Sequence, residues 1–180
     1  EWPPMAVLGR SGDLVLARRF AAALATELLA VGVTLDFAPV LDVMTNAANP
    51  VIGDRAFSAD AQAVADFGAA VIRGLQDTGV AACGKHFPGH GDTNVDSHLD
   101  LPRLEATRER MDQVELAPFR DAIAHKVDAV MTAHMMVPAI EPREIPATIS
   151  SRVLTGLLRE DLRFQGLVVT DAMDMAGLSK

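Results

Sequence analysis

The sequence predicts an α/β fold built on parallel strands, and three observations carry that expectation. Short apolar, β-rich runs alternate with stretches of helical spacing. The runs recur at roughly forty to fifty residues, too far apart for hairpins. Each polar-rich loop follows a run of the strand type. A parallel pair needs a crossover long enough to hold a helix, so this alternation puts helices outside a parallel sheet.

Ser11 is placed to cap a helix whose apolar positions Leu14, Ala17, Ala21, Leu24 and Leu28 follow the three-four spacing of one face, with Gly32 as its stop. The run 33–39 (VTLDFAP) reads as the first strand. Asn, Pro and Gly turn formers between Asn46 and Phe57 make the loop after it. The order then repeats: Ser58 as cap, a helix from about Asp60 to Asp77, Gly79 as its stop, and the second strand at 80–84 (VAACG). A loop rich in Gly and His runs on to Pro102. Glu105 to about Lys126 is expected helical with a break near Pro118, because an interior proline removes a backbone donor and crowds the preceding turn. The third strand is expected at 128–133 (DAVMTA), the next helix at 151–164, and the fourth strand at 167–170 (LVVT). Asp171 to Lys180 opens one more turn or helix.

Polar loops gathered after strands are what the C-terminal face of a (β/α)8 TIM-like barrel presents. A doubly wound open sheet is the alternative. No Gly-x-Gly-x-x-Gly follows any strand, and Gly84 to Gly91 carries two His and a Pro where a phosphate cradle needs bare amides. The barrel is therefore the expected fold. A complete one takes about 250 residues, so residues 1–180 are expected to form part of a single barrel domain, an incomplete portion of it.

Composition narrows the function. At 49% hydrophobic the chain can bury a sizeable core. A net charge of -8 with no dense Lys/Arg run argues against a nucleic-acid partner, whose affinity comes chiefly from neutralised phosphates. The most apolar stretch, Phe20 to Val31, is interrupted by Glu27 and falls short of the roughly 20 residues of a membrane span. Cys83 is the sole cysteine, so no internal disulfide forms. A neutral substrate fits these features, and the composition assigns no compartment.

The densest polar cluster runs from Lys85 to His98, directly after the second strand, and holds three of the five histidines. A solvated loop with Gly89 and Gly91 as turn formers is the plain reading, and the packing of ionisable types favours a site. Asp96 and His98 stand two apart with small Ser97 between them, so a tight turn lets the carboxylate bond one imidazole nitrogen and leaves the other facing a pocket. Such a carboxylate fixes the tautomer and makes the ring more basic, which suits it to give and take a proton. Alternatively, Asp96 caps a turn. Asp171 ends the fourth strand, where barrel enzymes keep catalytic groups, and is a candidate nucleophile or else the N-cap of the turn after it. Arg55, Lys85 and His86 supply donors suited to sugar hydroxyls. A rival reading groups His86, His90, His98, His134 and Asp171 as a zinc site of the barrel amidohydrolase kind. The His-x-His pair typical of those enzymes does not occur, and no metal or cofactor is expected.

The segment KHFPGHGDTNVDSHLDLP, preceded by FAPVLDV and GDRAF and followed by PATIS and LREDLRFQGLVVTDAMDM, closely resembles family 3 glycoside hydrolases. Within that family it is most similar to the bacterial β-N-acetylhexosaminidases, over almost the whole chain. The resemblance implies a retaining double displacement on terminal β-linked N-acetylglucosamine, without a cofactor, in cell-wall peptidoglycan turnover. Asp171 matches the attacking Asp of the S/T-D-x-x-x-M segment. His98, backed by Asp96, matches the proton carrier, and Arg55, Lys85 and His86 match positions that bind the sugar ring. Family 3 β-glucosidase action, or transfer of the sugar to phosphate, are the alternatives. The family's early Asp-x-Glu-Gly-Gly segment is expected before Glu1 and further strands after Lys180. The 180-residue chain alone is accordingly expected to be inactive or marginally folded.

Overall fold

The computed structural model describes residues 2–95 and 101–175. Four strands, β1 (Leu35–Asp36), β2 (Ala81–Phe87), β3 (Ala129–Thr132) and β4 (Leu167–Thr170), form one sheet in the order β1-β2-β3-β4. Every pairing is parallel. Strand order follows chain order with no reversal. A doubly wound sheet would reverse at a switch point, so this is the arrangement of a barrel wall. Among the described residues the wall does not close on itself.

Among the described residues the longer helices are α1 (Met5–Ser11), α2 (Leu14–Ala30), α3 (Ala61–Thr78), α4 (Arg108–Gln113), α5 (Ala117–Ala124) and α6 (Arg152–Asp161), with short 3-10 turns at Gly53–Arg55 and Ala147–Ile149. Their termini follow local side-chain chemistry, which shifts two caps from the expected residues. Ser11 does not cap the long helix: its hydroxyl donates to Leu8 O at 2.6 Å and closes α1, and Asp13 caps α2 by accepting from Leu16 N at 2.8 Å. Likewise Asp60, not Ser58, caps α3, accepting from Ala63 N at 2.7 Å. In both cases a carboxylate next to the first turn accepts an orphan backbone N–H and suits the positive end of the helix dipole. Gly79 ends α3 as expected, in the left-handed region at φ +103°. The span expected as one broken helix is two, starting only at Arg108, and Pro118 sits in the first turn of α5, where no N–H is needed. α6 is wound as a π-helix, with Leu162 N bonded to Leu157 O at 2.9 Å.

The core lies between helices and sheet. Phe20, Val64, Ile72, Leu75, Phe119, Leu157 and Leu158 pack with the outward strand residues Ala82 and Val130. Each fully buried aliphatic or aromatic side chain contributes about 1.5–3 kcal/mol relative to exposure. α2 and α3 approach closely at Gly74, where a Cβ would meet Arg18 O at 2.5 Å and Ala21 Cβ at 2.6 Å. On the opposite face Cys83, Ala129 and Met131, with half-buried Leu35 and Val169, form a separate cluster that contains no helix residue. Burial pushes the Cys83 thiol up to about 12, which makes it an inert apolar filler.

β1 is shorter than expected, and β2 is longer, extending through Phe87. The register with β3 shifts between Gly84 and Phe87. Consecutive strand residues ordinarily face opposite sides, and this irregularity is what turns Lys85 and His86 toward one cavity.

Candidate active site

A cavity of about 430 Å³ opens at the C-terminal ends of the strands. Arg55, Lys85, His86, His90 and Asp171 line it, with Phe37, Val51 and Met131 as apolar walls. Four segments contribute: the loop after β1 brings Arg55, the end of β2 brings Lys85 and His86, the following loop brings His90, and the turn after β4 brings Asp171.

Asp42 organises one side of the cavity. Its carboxylate is fully buried and accepts from His86 Nδ1 at 2.7 Å, from His90 N at 2.6 Å and from His86 N at 3.3 Å. Burial alone would raise this carboxyl, and the bonds and charge supplied by His86 and His90 outweigh it, holding Asp42 below its ordinary value. His86 Nε2 stands 3.4 Å from Arg55 Nη2. A guanidinium can only donate, so Nε2 presents its lone pair there and Nδ1 carries the proton given to Asp42. Arg55 is steadied from behind by Val51 O at 3.3 Å.

Lys85 lines the cavity. Burial, reinforced by the Arg55 guanidinium, pulls its ammonium below the ordinary lysine range, and Asp171 and Asp36 oppose that pull. Burial also lowers His90, against the attraction of Asp42. His90 Nδ1 meets Thr93 Oγ1 at 2.7 Å, and its Nε2 is buried with no hydrogen-bond partner among the described residues. Asn49 fixes this loop, donating to His90 O at 2.8 Å and Thr93 O at 3.0 Å while accepting from Val51 N and Ile52 N.

Asp171 follows the last residue of β4. Its N–H donates to Thr132 O at 3.3 Å, and its Oδ1 accepts from Ala172 N at 2.8 Å. On the neighbouring strand's extension, His134 donates from Nε2 to Ala172 O at 3.0 Å and meets Thr148 Oγ1 through Nδ1 at 2.8 Å. Both of its nitrogens are thereby engaged. Among the described residues no three His, Cys, Asp or Glu side chains are grouped to hold a metal ion.

A half-buried carboxylate that shares a cavity with two cations and two histidines, at the C-terminal mouth of a parallel wall, is an arrangement suited to a polyhydroxylated neutral ligand. Residues 1–180 match the family described as the glycosyl hydrolase family 3 N terminal domain. The chain belongs to glycosyl hydrolase family 3. It is similar to a family 3 β-N-acetylglucosaminidase structure from Paenibacillus sp. strain FPU-7, with 53% identity and a TM-score of 0.96 over 98% of this chain and 33% of that one. The β-hexosaminidase of Thiobacillus denitrificans is 44% identical over 97% of this chain and 50% of its own length. For β-hexosaminidase A of Pseudoalteromonas piscicida the values are 41%, 94% and 30%. The chain thus spans between 30% and 50% of the length of these relatives. The α/β barrel class expected from the sequence holds, as a portion of a family 3 barrel wall.

Of the residues singled out in the sequence, the structure brings Arg55, Lys85, His86 and Asp171 to one cavity. Asp96 and His98 lie outside the described residues. Sequence reasoning did not find Asp42, Asn49 or the bonding of His134. The available signal for Asp42 was a lone acid in the apolar run VLDV just beyond a strand, a position where a buried carboxylate demands partners.

Proposed function

We propose that the full-length family 3 protein is a retaining β-N-acetylhexosaminidase that removes terminal β-linked N-acetylglucosamine, from peptidoglycan fragments in cell-wall turnover. The observation that carries the reading is the shared cavity, which Asp171 lines together with Arg55, Lys85 and His86. Its volume of about 430 Å³ falls in the range of small-molecule sites, about 300–1,000 Å³. Arg55 and Lys85 donate to ring hydroxyls, and His86, held in one tautomer by Asp42, adds a group of fixed polarity. In the first step Asp171 attacks the anomeric carbon as the glycosidic C–O bond breaks. His98, supported by Asp96, gives its proton to the leaving oxygen. In the second step His98 takes a proton from water, which attacks the same carbon, and the ester bond to Asp171 breaks with overall retention. The roles of Asp96 and His98 rest on the Asp-Ser-His spacing in the sequence.

The full-length protein tests this on aryl N-acetyl-β-glucosaminide and aryl β-glucoside, with and without phosphate. Preference for the N-acetyl substrate and release of free sugar in both buffers is the expected result. Preference for the glucoside, or a sugar phosphate as product, assigns the alternative chemistries. Asp171→Ala is expected to eliminate turnover. His98→Ala is expected to lose about 10²- to 10⁴-fold on a natural disaccharide and less on an activated aryl substrate, with azide restoring rate as the β-glycosyl azide. Equal losses on both substrates without an azide adduct would remove His98 from the role.

A further inference from the structure

We propose that His134 is a positioning residue that sets the place of the Asp171 carboxylate through the two polar atoms of Ala172. The inference rests on Asp171 being the nucleophile. The chain of bonds is continuous. Thr148 Oγ1 meets His134 Nδ1 at 2.8 Å, His134 Nε2 donates to Ala172 O at 3.0 Å, and Ala172 N donates to Asp171 Oδ1 at 2.8 Å. Because a carbonyl can only accept, Nε2 carries a proton, and the single Thr148 hydroxyl proton is shared between His134 Nδ1 at 2.8 Å and Ala133 O at 2.9 Å. Thr148 is itself anchored, accepting from Thr132 Oγ1 at 3.1 Å.

This support matters because of where Asp171 sits. Among the described residues the turn beyond β4 is tied by backbone to β3 through Asp171 N, which donates to Thr132 O at 3.3 Å. The Ala172 carbonyl accepts one further long bond, from Met175 N at 3.3 Å, which is local to the turn. His134, only 1% exposed, joins this turn to the packed interior of the neighbouring strand. A nucleophile must sit within a few tenths of an ångström of its line of attack, and a misplacement of about 1 Å can cost about 10²-fold in rate.

The two ring nitrogens can be tested apart, because a Gln amide nitrogen falls near the place of Nε2 and an Asn amide nitrogen near that of Nδ1. In the full-length protein His134→Asn keeps a partner for Thr148 and loses the bond to Ala172, and His134→Gln keeps a donor for Ala172. The readouts are kcat, KM, melting temperature, and the rate at which a fluorinated glycosyl inactivator labels Asp171, located by mass spectrometry. We expect His134→Asn to lose about 10²-fold in kcat and in labelling rate with KM near the wild-type value, His134→Gln to recover most of it, and both variants to melt alike. Equal losses in the two variants, a loss expressed in KM, or an unchanged labelling rate would overturn the positioning role while leaving Asp171 labelled in the wild type. A wild-type label on another residue would overturn the nucleophile reading, and this inference with it.

Discussion

Replacing Asp42 by Asn should reverse the polarity of one wall of the cavity. Asn conserves shape but turns one carboxylate oxygen into an N–H2 group, and all the partners facing this residue are donors: His86 Nδ1 at 2.7 Å, His90 N at 2.6 Å and His86 N at 3.3 Å. The remaining oxygen can satisfy the backbone amides. The new N–H2 then faces Nδ1, which must give up its proton to accept, and the proton moves to Nε2. Nε2 stands 3.4 Å from Arg55 Nη2, so two donors now oppose each other in the cavity. Losing a hydrogen bond to a charged group costs about 1.5–3 kcal/mol, which at 1.36 kcal/mol per decade is about 10- to 150-fold in kcat/KM if the site depends on this geometry. The assay is kcat/KM of the full-length protein on an aryl N-acetyl-β-glucosaminide, alongside the imidazole nitrogen shifts of His86. Stability carries a second signature. Folding lowers the Asp42 pKa, so its stabilisation is fully present above the usual carboxylate range, near 3.8, and is lost as pH falls through the lowered value. The Asn variant should lack that part of the acid sensitivity. An Asn variant with wild-type kcat/KM and an unchanged His86 tautomer would refute the reasoning.

Lys85 should give the site an alkaline limit below the ordinary lysine range near 10.5, because burial and Arg55 lower its pKa and its charge is lost as pH rises through that value. Titration calorimetry of N-acetylglucosamine against pH should show affinity falling there in the wild type, and uniformly weak, limb-free binding in Lys85→Met. A limb that persists in Lys85→Met would assign it to another group. Gly91→Ala should destabilise the loop, since a Cβ there would fall onto the Val43 backbone carbonyl, at an overpacking cost of about 1–3 kcal/mol. Gly156→Ala is the control: its Cβ meets nothing within 4 Å in α6, so gaining about 0.5–1 kcal/mol is expected there. Calorimetric melting of the two full-length variants should move in opposite directions.

The fold was legible because its signals are local. Helical spacing in α2 and α3, the stop at Gly79 and the β-rich run LVVT each arise from residues close in sequence, and the structure returns β4 at the expected 167–170. The caps were less legible, because serine and aspartate both cap and stood two residues apart at Ser11–Asp13 and Ser58–Asp60; the structure uses aspartate in each case. The cavity residues on strand ends and their loops were legible by type and place. What makes them a site was not, because it depends on the register between neighbouring strands. Leu41 N bonds Lys85 O at 2.6 Å and Val40 bridges to Lys85, and this pairing brings Asp42 beneath His86 and His90, separated by 44 and 48 residues in the chain. A slip of one residue would turn Asp42 toward the other face of the sheet. The tautomer of His86, and with it the polarity offered to a ligand, is therefore set by strand pairing far more than by the composition of the loop that first drew notice.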